Sequence, residues 1–313
     1  MPHLITPVLC LVLVASLALA AEHDSSGILP KDASVEKVAG GFRFTEGPVW
    51  SPEGYLLFSD VPSNNIVRCT VDGKIGIYRH PSGFSNGLTF DRQGRLIACE
   101  CIRRVSRTEK DGTIAALADR YEGKRLNSPN DIVVRSDGSI YFTDPPYGLS
   151  PQYQPDNKPG VRELDFQGIY RISPKGELAL LDKLMYRPNG LAFSPDEKLL
   201  YVADSERNLI RVFDVRKDGS LANGRLFATL KEEGQRGGPD GMKVDVKGNI
   251  YCTGPGGVWV FSPDATVVAK IRTPEVAANV AFGGKDYKTL YITAQTGLYK
   301  IPVKIKGIKV GPR

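Results

Sequence analysis

Six oxygen-bearing side chains recur in one local setting along the chain: Glu46 in Glu46-Gly47-Pro48, Asn86 in Asn86-Gly87-Leu88, Asn130 in Asn130-Asp131-Ile132, Asn189 in Asn189-Gly190-Leu191, Asp240 in Asp240-Gly241-Met242 and Asn279 in Asn279-Val280-Ala281. Each stands just ahead of a short apolar segment. Two carboxylates and four amides form a hard, all-oxygen donor set, which suits Ca²⁺ or Mg²⁺. Zinc is poorly served, because the three histidines, His3, His23 and His80, belong to none of these segments. A competing explanation is that Asn-Gly and Asp-Gly are turn dipeptides, since both residues tolerate positive φ. Glu46 is no turn former, however, and Asn279 lacks the glycine. Six copies in register therefore point to a shared site.

Such residues converge only if the elements behind them repeat, and they do. A short apolar strand, a turn rich in Asp, Gly or Pro, and a second strand recur from Val49, Leu88, Ile132, Leu191, Met242 and Val280, one unit every ~40 to 60 residues. Further alternating segments follow, joined by turns such as Asp72-Gly73, Asp111-Gly112 and Asp218-Gly219, and supply third and fourth strands. This spacing predicts an all-β, six-bladed β-propeller in a single domain. In that fold the innermost strands surround a channel, so equivalent residues at their starts meet at one mouth. The last unit lacks an outer strand, and Ser34 to Val38 alternates suitably to complete it and close the ring, removing exposed edges. The stretch from Pro145 to Gly168 carries five prolines and is expected to be a long loop near the mouth.

The chain has 313 residues with 33 glycines and 22 prolines dispersed throughout, which argues against a helical bundle. Its net charge of +6 arises from 41 basic and 35 acidic residues without a dense Lys/Arg run, so nucleic acid is not an expected partner. Leu4 to Ala20 holds no charge and ends in Ala18-Leu19-Ala20, the pattern of an export signal with a small-residue cleavage site. The expected organisation is a signal over 1–20, a flexible lead-in over 21–33, the propeller over 34–308 and a tail over 309–313. Localisation is then secreted or periplasmic, with no membrane contact after cleavage. Cys69, Cys99, Cys101 and Cys252 remain; Cys99 and Cys101 share one face of a strand and do not suit pairing with each other.

The strings Phe44-Thr45-Glu46-Gly47-Pro48-Val49-Trp50, Asn127-Ser128-Pro129-Asn130-Asp131, Thr143-Asp144-Pro145-Pro146-Tyr147-Gly148, Arg187-Pro188-Asn189-Gly190-Leu191 and Pro239-Asp240-Gly241-Met242 resemble the SMP-30/gluconolactonase/LRE family, most of all its gluconolactonase-type branch. The resemblance runs from about Glu36 to Ile301. It implies a six-bladed propeller with one divalent metal in the channel, calcium first and magnesium, manganese or zinc as alternatives. It also implies Glu46, Asn189 and Asp240 as ligands, with Asn130 at or beside the metal. The branch commonly has His where this chain has Cys101.

The activity so implied is hydrolysis of a small-molecule lactone, a sugar lactone by preference. A bound cation polarises the ester carbonyl, Asp240 serves as general base and Asn130 orients the water or the carbonyl. The few histidines leave a Ser-His-Asp triad without its base. Candidate substrate contacts are Asn86, Cys101, Arg125, Asn127, Tyr147 and Glu163, with Arg187 nearby. Asp60, Asp144 and Asp204 close second strands and are expected to accept turn hydrogen bonds. Other readings are a non-catalytic calcium-stabilised binding module and a metal-dependent esterase or organophosphate hydrolase.

Overall fold

In the computed structural model, which describes residues 23–25, 27–154 and 156–312, the chain forms strands and three short 3-10 turns, with no α-helix among the described residues. The export signal expected over 1–20 lies outside the described residues. Six antiparallel blade sheets follow in order, with a small hairpin of Arg120–Tyr121 and Lys124–Arg125 between the second and third. Blade 1 comprises Thr45–Trp50, Leu56–Asp60, Asn65–Cys69 and Ile75–Arg79, from channel to rim. The inner strands of the next four blades are Ser85–Phe90, Ile132–Val134, Pro188–Phe193 and Met242–Val244. The sixth blade takes Ala277–Gly283, Thr289–Ala294 and Gly297–Pro302 from the C-terminal part of the chain and its outer strand, Glu36–Gly40, from the N-terminal part. The two ends of the propeller thus pair with each other, and closure follows as the incomplete last unit predicts.

The core is a ring of six apolar clusters, one at each seam between neighbouring blades. Second strands supply both sides, because alternate side chains point to opposite faces. Leu56 and Phe58 pack toward blade 6 while Leu57 packs toward blade 2. In the next blade Leu96 and Ala98 face back and Ile97 and Cys99 face forward. Burial on both faces explains why these strands read as unbroken apolar runs, and each large side chain so buried contributes about 1.5–3 kcal/mol.

Described residues on both sides of the propeller join the fold beyond the expected limits. The lead-in is not free: His23–Asp24 pairs with Val267–Arg272 as a fifth strand of blade 5. Asp24 then accepts the N–H groups of Ile28 and Leu29 at 3.0 and 2.9 Å, and both residues are buried. At the other end, Val310 packs at the seam of blades 1 and 2, and the Gly311 carbonyl accepts from Arg92 Nη1 at 3.1 Å. The tail therefore lies across the channel end opposite Glu46. A small, mainly apolar void of about 90 Å³ remains beneath it, bordered by Pro48, Val134, Phe193, Val244 and Phe282.

Candidate active site

Each residue of the six-fold set stands where its inner strand departs from regular pairing. Register shifts fall between Glu46 and Val49, Ser85 and Leu88, Pro188 and Leu191, and Ala277 and Asn279. In blades 3 and 5 regular pairing begins two residues after Asn130 and Asp240. Such irregularities re-aim side chains, and here five of the six, all but Asn279, border the cavity at the channel mouth.

The glycines that follow are not turn glycines. Of Gly47, Gly87, Gly190 and Gly241, only Gly47 has a left-handed backbone, with φ of 51°. What they share is the absence of room. A Cβ on Gly47 would lie 2.0 Å from the Asn86 carbonyl oxygen, on Gly87 2.5 Å from that of Asn130, on Gly190 2.0 Å from that of Asp240, and on Gly241 1.9 Å from Asn279 Cγ. Each glycine thus meets the site residue of the next blade. Main-chain hydrogen bonds seal these contacts, Gly87 N–H to Asn130 at 2.7 Å and Gly190 N–H to Asp240 at 3.0 Å. Asn279 Nδ2 closes the ring by donating to Glu46 Oε2 at 3.1 Å.

These residues floor a cavity of about 590 Å³ at the mouth. Glu46, Asn86, Asn130, Asn189 and Asp240 border it, together with Cys101 and Tyr147. The proline-rich loop contributes Tyr147, Ser150, Gln152 and Tyr153, so the long insertion does form a wall of the site. Asn189 is held with its oxygen inward: Nδ2 donates to Ser205 Oγ at 2.9 Å, and Ser205 donates to the Pro239 carbonyl at 2.7 Å. Asn189 Oδ1, Asp240 Oδ1 and Asn86 Oδ1 are buried with no hydrogen-bond partner. Orphaned oxygens of this kind call for a ligand, and all three are hard donors. Among the described residues no group of three or more His, Cys, Asp or Glu side chains is arranged to hold a metal. A cation held here would draw much of its coordination from amide oxygens, as suits calcium better than zinc.

Below the ring lies Asp131, whose Oδ1 accepts its neighbour's N–H at 2.9 Å while Oδ2 sits 3.9 Å from Lys243 Nζ. Burial, and after it the charge of Asp131, hold Glu46 above the ordinary carboxylate range against the Gly47 N–H it accepts. Burial raises Asp240 as well, followed by Glu46 and then Asp131. Three carboxylates share one channel with a single lysine, a balance that favours an added cation. Asp131 and Lys243 were not singled out from sequence. Asp131 adjoins Asn130 in the quoted motif, whereas nothing in the local sequence marks Lys243.

The remaining candidates divide. Cys101 is 2% exposed, borders the cavity, and has its thiol pushed up to about 12 chiefly by burial. The Tyr147 ring stacks 5.5 Å from the Arg187 guanidinium, which itself pairs with Glu206 at 3.3 Å. Arg125, Asn127 and Glu163 do not border the cavity. Asn127 is buried, with Nδ2 donating to the carbonyls of Asp144 and Phe166 at 3.1 and 2.9 Å. Glu163 accepts the Arg125 N–H at 2.8 Å and lies 3.6 Å from Arg103, while Arg125 Nη2 donates to the Ile102 carbonyl at 3.1 Å. These three support the wall from behind.

Gly83-Phe84-Ser85-Asn86-Gly87 has the spacing of a nucleophile elbow, but the context is wrong. Ser85 begins an inner strand, is fully buried, and its Oγ is 2.9 Å from Ser59 Oγ. No histidine borders the cavity.

Six blades around a channel whose mouth is ringed by carboxylate and amide oxygens define the class: a closed β-propeller with an oxygen-lined site. Comparison with known proteins narrows this. The chain belongs to the SMP-30/gluconolactonase/LRE-like family, whose sequence profile matches residues 44–296. It is 34% identical to a gluconolactonase of Zymomonas mobilis over 90% of this chain and 84% of that protein. It is 30% identical to a pentonolactonase of Haloferax volcanii over 82% of each. Among solved structures, a gluconolactonase from Xanthomonas campestris superposes with a TM-score of 0.81 at 34% identity, covering 92% of this chain and 99% of that one.

Proposed function

We propose that the protein opens a sugar lactone at the channel mouth with the help of a divalent cation, calcium first, held by Glu46, Asn130, Asn189 and Asp240. That it is a lactonase-type carboxylic ester hydrolase rests on its gluconolactonase, pentonolactonase and lactonohydrolase relatives. The observation that carries the cation is the pair of buried, unpartnered oxygens, Asn189 Oδ1 and Asp240 Oδ1, facing one cavity beside Glu46. A sugar lactone is supported by what borders that cavity. Asn86, Ser150, Gln152, Ser205 and Asn208 offer amides and hydroxyls, while no lysine or arginine is present to meet an anionic group.

When bound, the cation supplies Lewis-acid polarisation of the ester carbonyl. Asp240, which borders the cavity, accepts the proton of the attacking water at its carboxylate. Water oxygen bonds to the carbonyl carbon, the ring C–O bond breaks, and the proton passes to the departing alkoxide, giving the hydroxy acid. Asn130 orients the water or carbonyl from blade 3, two blades away. Tyr147 and Tyr153 cover the sugar from the loop side. With residues 1–20 as an export signal, the enzyme acts outside the cytoplasm, and an exported protein beginning near Ala21 tests that part.

The deciding experiment is a pH-stat assay over a panel of sugar lactones, with and without chelator and with Ca²⁺, Mg²⁺, Mn²⁺ or Zn²⁺ restored. Activity should vanish on chelation and return best with Ca²⁺; chelator-insensitive turnover removes the cation from the mechanism. Asp240→Asn should retain calcium binding by calorimetry yet lose hydrolysis, whereas unchanged turnover eliminates Asp240 as base.

A further inference from the structure

The net charge of +6 is not spread evenly. On the face opposite the cavity, six exposed lysines border one recess: Lys247 after the inner strand of blade 5, Lys285 and Lys288 after that of blade 6, and Lys304, Lys306 and Lys309 from the C-terminal segment. Asp286 is the one acidic residue there, and its Oδ1 already accepts the Lys288 N–H at 3.1 Å. None of the six lysines forms an ion pair among the described residues. Exposed, apolar Val246 stands on the same rim. Asp240 and Lys247 lie at opposite ends of one inner strand, roughly 20 Å apart at strand rise, so this face points away from the catalytic mouth.

The segment after the added strand of blade 5 also reaches this recess. Gly27 borders the same recess, and the Ile28 carbonyl accepts the Lys304 N–H at 2.7 Å.

We propose that this lysine face docks on an anionic phospholipid bilayer and leaves the lactone cavity turned toward the aqueous side. This departs from the expectation of no membrane contact, because the cluster is assembled from three separated segments and no dense run marks it. Six unpaired point charges on one face match the smeared negative charge of a lipid surface, acting within a Debye length of it. A nucleic acid fits less well: the recess has no arginine fork and its one aromatic, Tyr287, is half-buried rather than free to stack.

The test is vesicle co-sedimentation of the full chain with phosphatidylcholine alone and with phosphatidylcholine containing about one-third phosphatidylglycerol. The readout is the ratio of binding to the two vesicles, which discounts insertion of the apolar run. The ratio should be at least ~10 at low salt and fall toward 1 in ~0.5 M NaCl, where the Debye length is only a few Å. The triple variant Lys304→Gln, Lys306→Gln, Lys309→Gln should lower it at least ~10-fold while lactone turnover, read on the same sample, stays at the wild-type level and certifies the fold. Lys247→Gln with Lys285→Gln provides a second variant outside the C-terminal segment. A ratio near 1 for the wild type, or one that both variants leave unchanged, overturns the proposal. So does tight retention on duplex DNA or a sulfated polysaccharide without preference for anionic vesicles.

Discussion

The Asp144 carboxylate accepts the main-chain N–H of Ser128 at 2.7 Å, two residues ahead of Asn130. Its other oxygen takes the Asn127 N–H at the same distance. The device repeats: Asp60 Oδ1 accepts from Arg43 and Phe44 at 3.1 Å, two residues ahead of Glu46, and Asp204 accepts from Tyr186 and Arg187 at 2.8 and 3.1 Å, two residues ahead of Asn189. In three blades the last carboxylate of the second strand therefore sets the entry of the inner strand and with it the height of a site oxygen. Asp204→Asn leaves one of the Tyr186 and Arg187 N–H groups unmatched. We expect a loss of about 1–3 kcal/mol in urea unfolding and a fall in lactone turnover without change in substrate preference. Full turnover in this variant would show that Asn189 is positioned by other means.

Glycine at the mouth yields a sharper expectation. A Cβ on Gly190 would overlap the Asp240 carbonyl oxygen at 2.0 Å, backbone that can yield only by displacing Asp240 itself. Gly190→Ala should lose several kcal/mol of stability, as overpacking does, and should abolish hydrolysis even at temperatures where it stays folded. Gly76→Ala is the matched control: it has open space around it, no left-handed φ, and no link to the site. It should be neutral in both assays. Equal behaviour of the two variants in thermal melts and pH-stat turnover would refute the close-approach role.

These glycines also show what the sequence could and could not disclose. The six copies, the long loop and the shared outer strand of blade 6 were legible because strand alternation and turn chemistry are local signals. The register of Glu46, Asn86, Asn130, Asn189, Asp240 and Asn279 was legible for the same reason. Why glycine follows was not, since a turn and a close backbone approach select the same residue, and only the position of the neighbouring blade separates them. Arg125, Asn127 and Glu163 were misplaced because nearness to the loop in sequence does not say on which side of the wall a side chain falls. Lys243 escaped because its partner, Asp131, comes from two blades away.

The pH dependence of stability follows from Asp144. Burial pushes its carboxyl up to about 7, more than the two N–H bonds pull it down. A group raised in the folded state binds its proton there after the unfolded chain has lost it. Its contribution is therefore fully present below the ordinary carboxylate value of about 3.9 and declines as pH rises toward 7, then stays level. Asp144→Asn cannot titrate. The advantage of the wild type over this variant, measured by urea unfolding in chelator, should shrink from pH 5 to pH 8. An advantage that grows over that interval would mean that Asp144 is ionised throughout and that its hydrogen bonds outweigh burial.

The cysteines permit a last expectation about reactivity. Cys69, Cys99, Cys101 and Cys252 are all unpaired and buried. Burial raises all four thiols, Cys101 to about 12. Because the thiolate is the reactive species, a thiol shifted from about 8.5 to 12 reacts roughly three orders of magnitude more slowly near pH 8. Cys101 differs from the rest in bordering the cavity, where a small reagent reaches it without unfolding. Native protein should therefore show no fast thiol reaction with a chromogenic disulfide. A slow phase should belong to Cys101, be absent in Cys101→Ser and be suppressed by bound lactone. Reaction of all four together, at the rate of global unfolding, would place Cys101 behind the wall rather than in it.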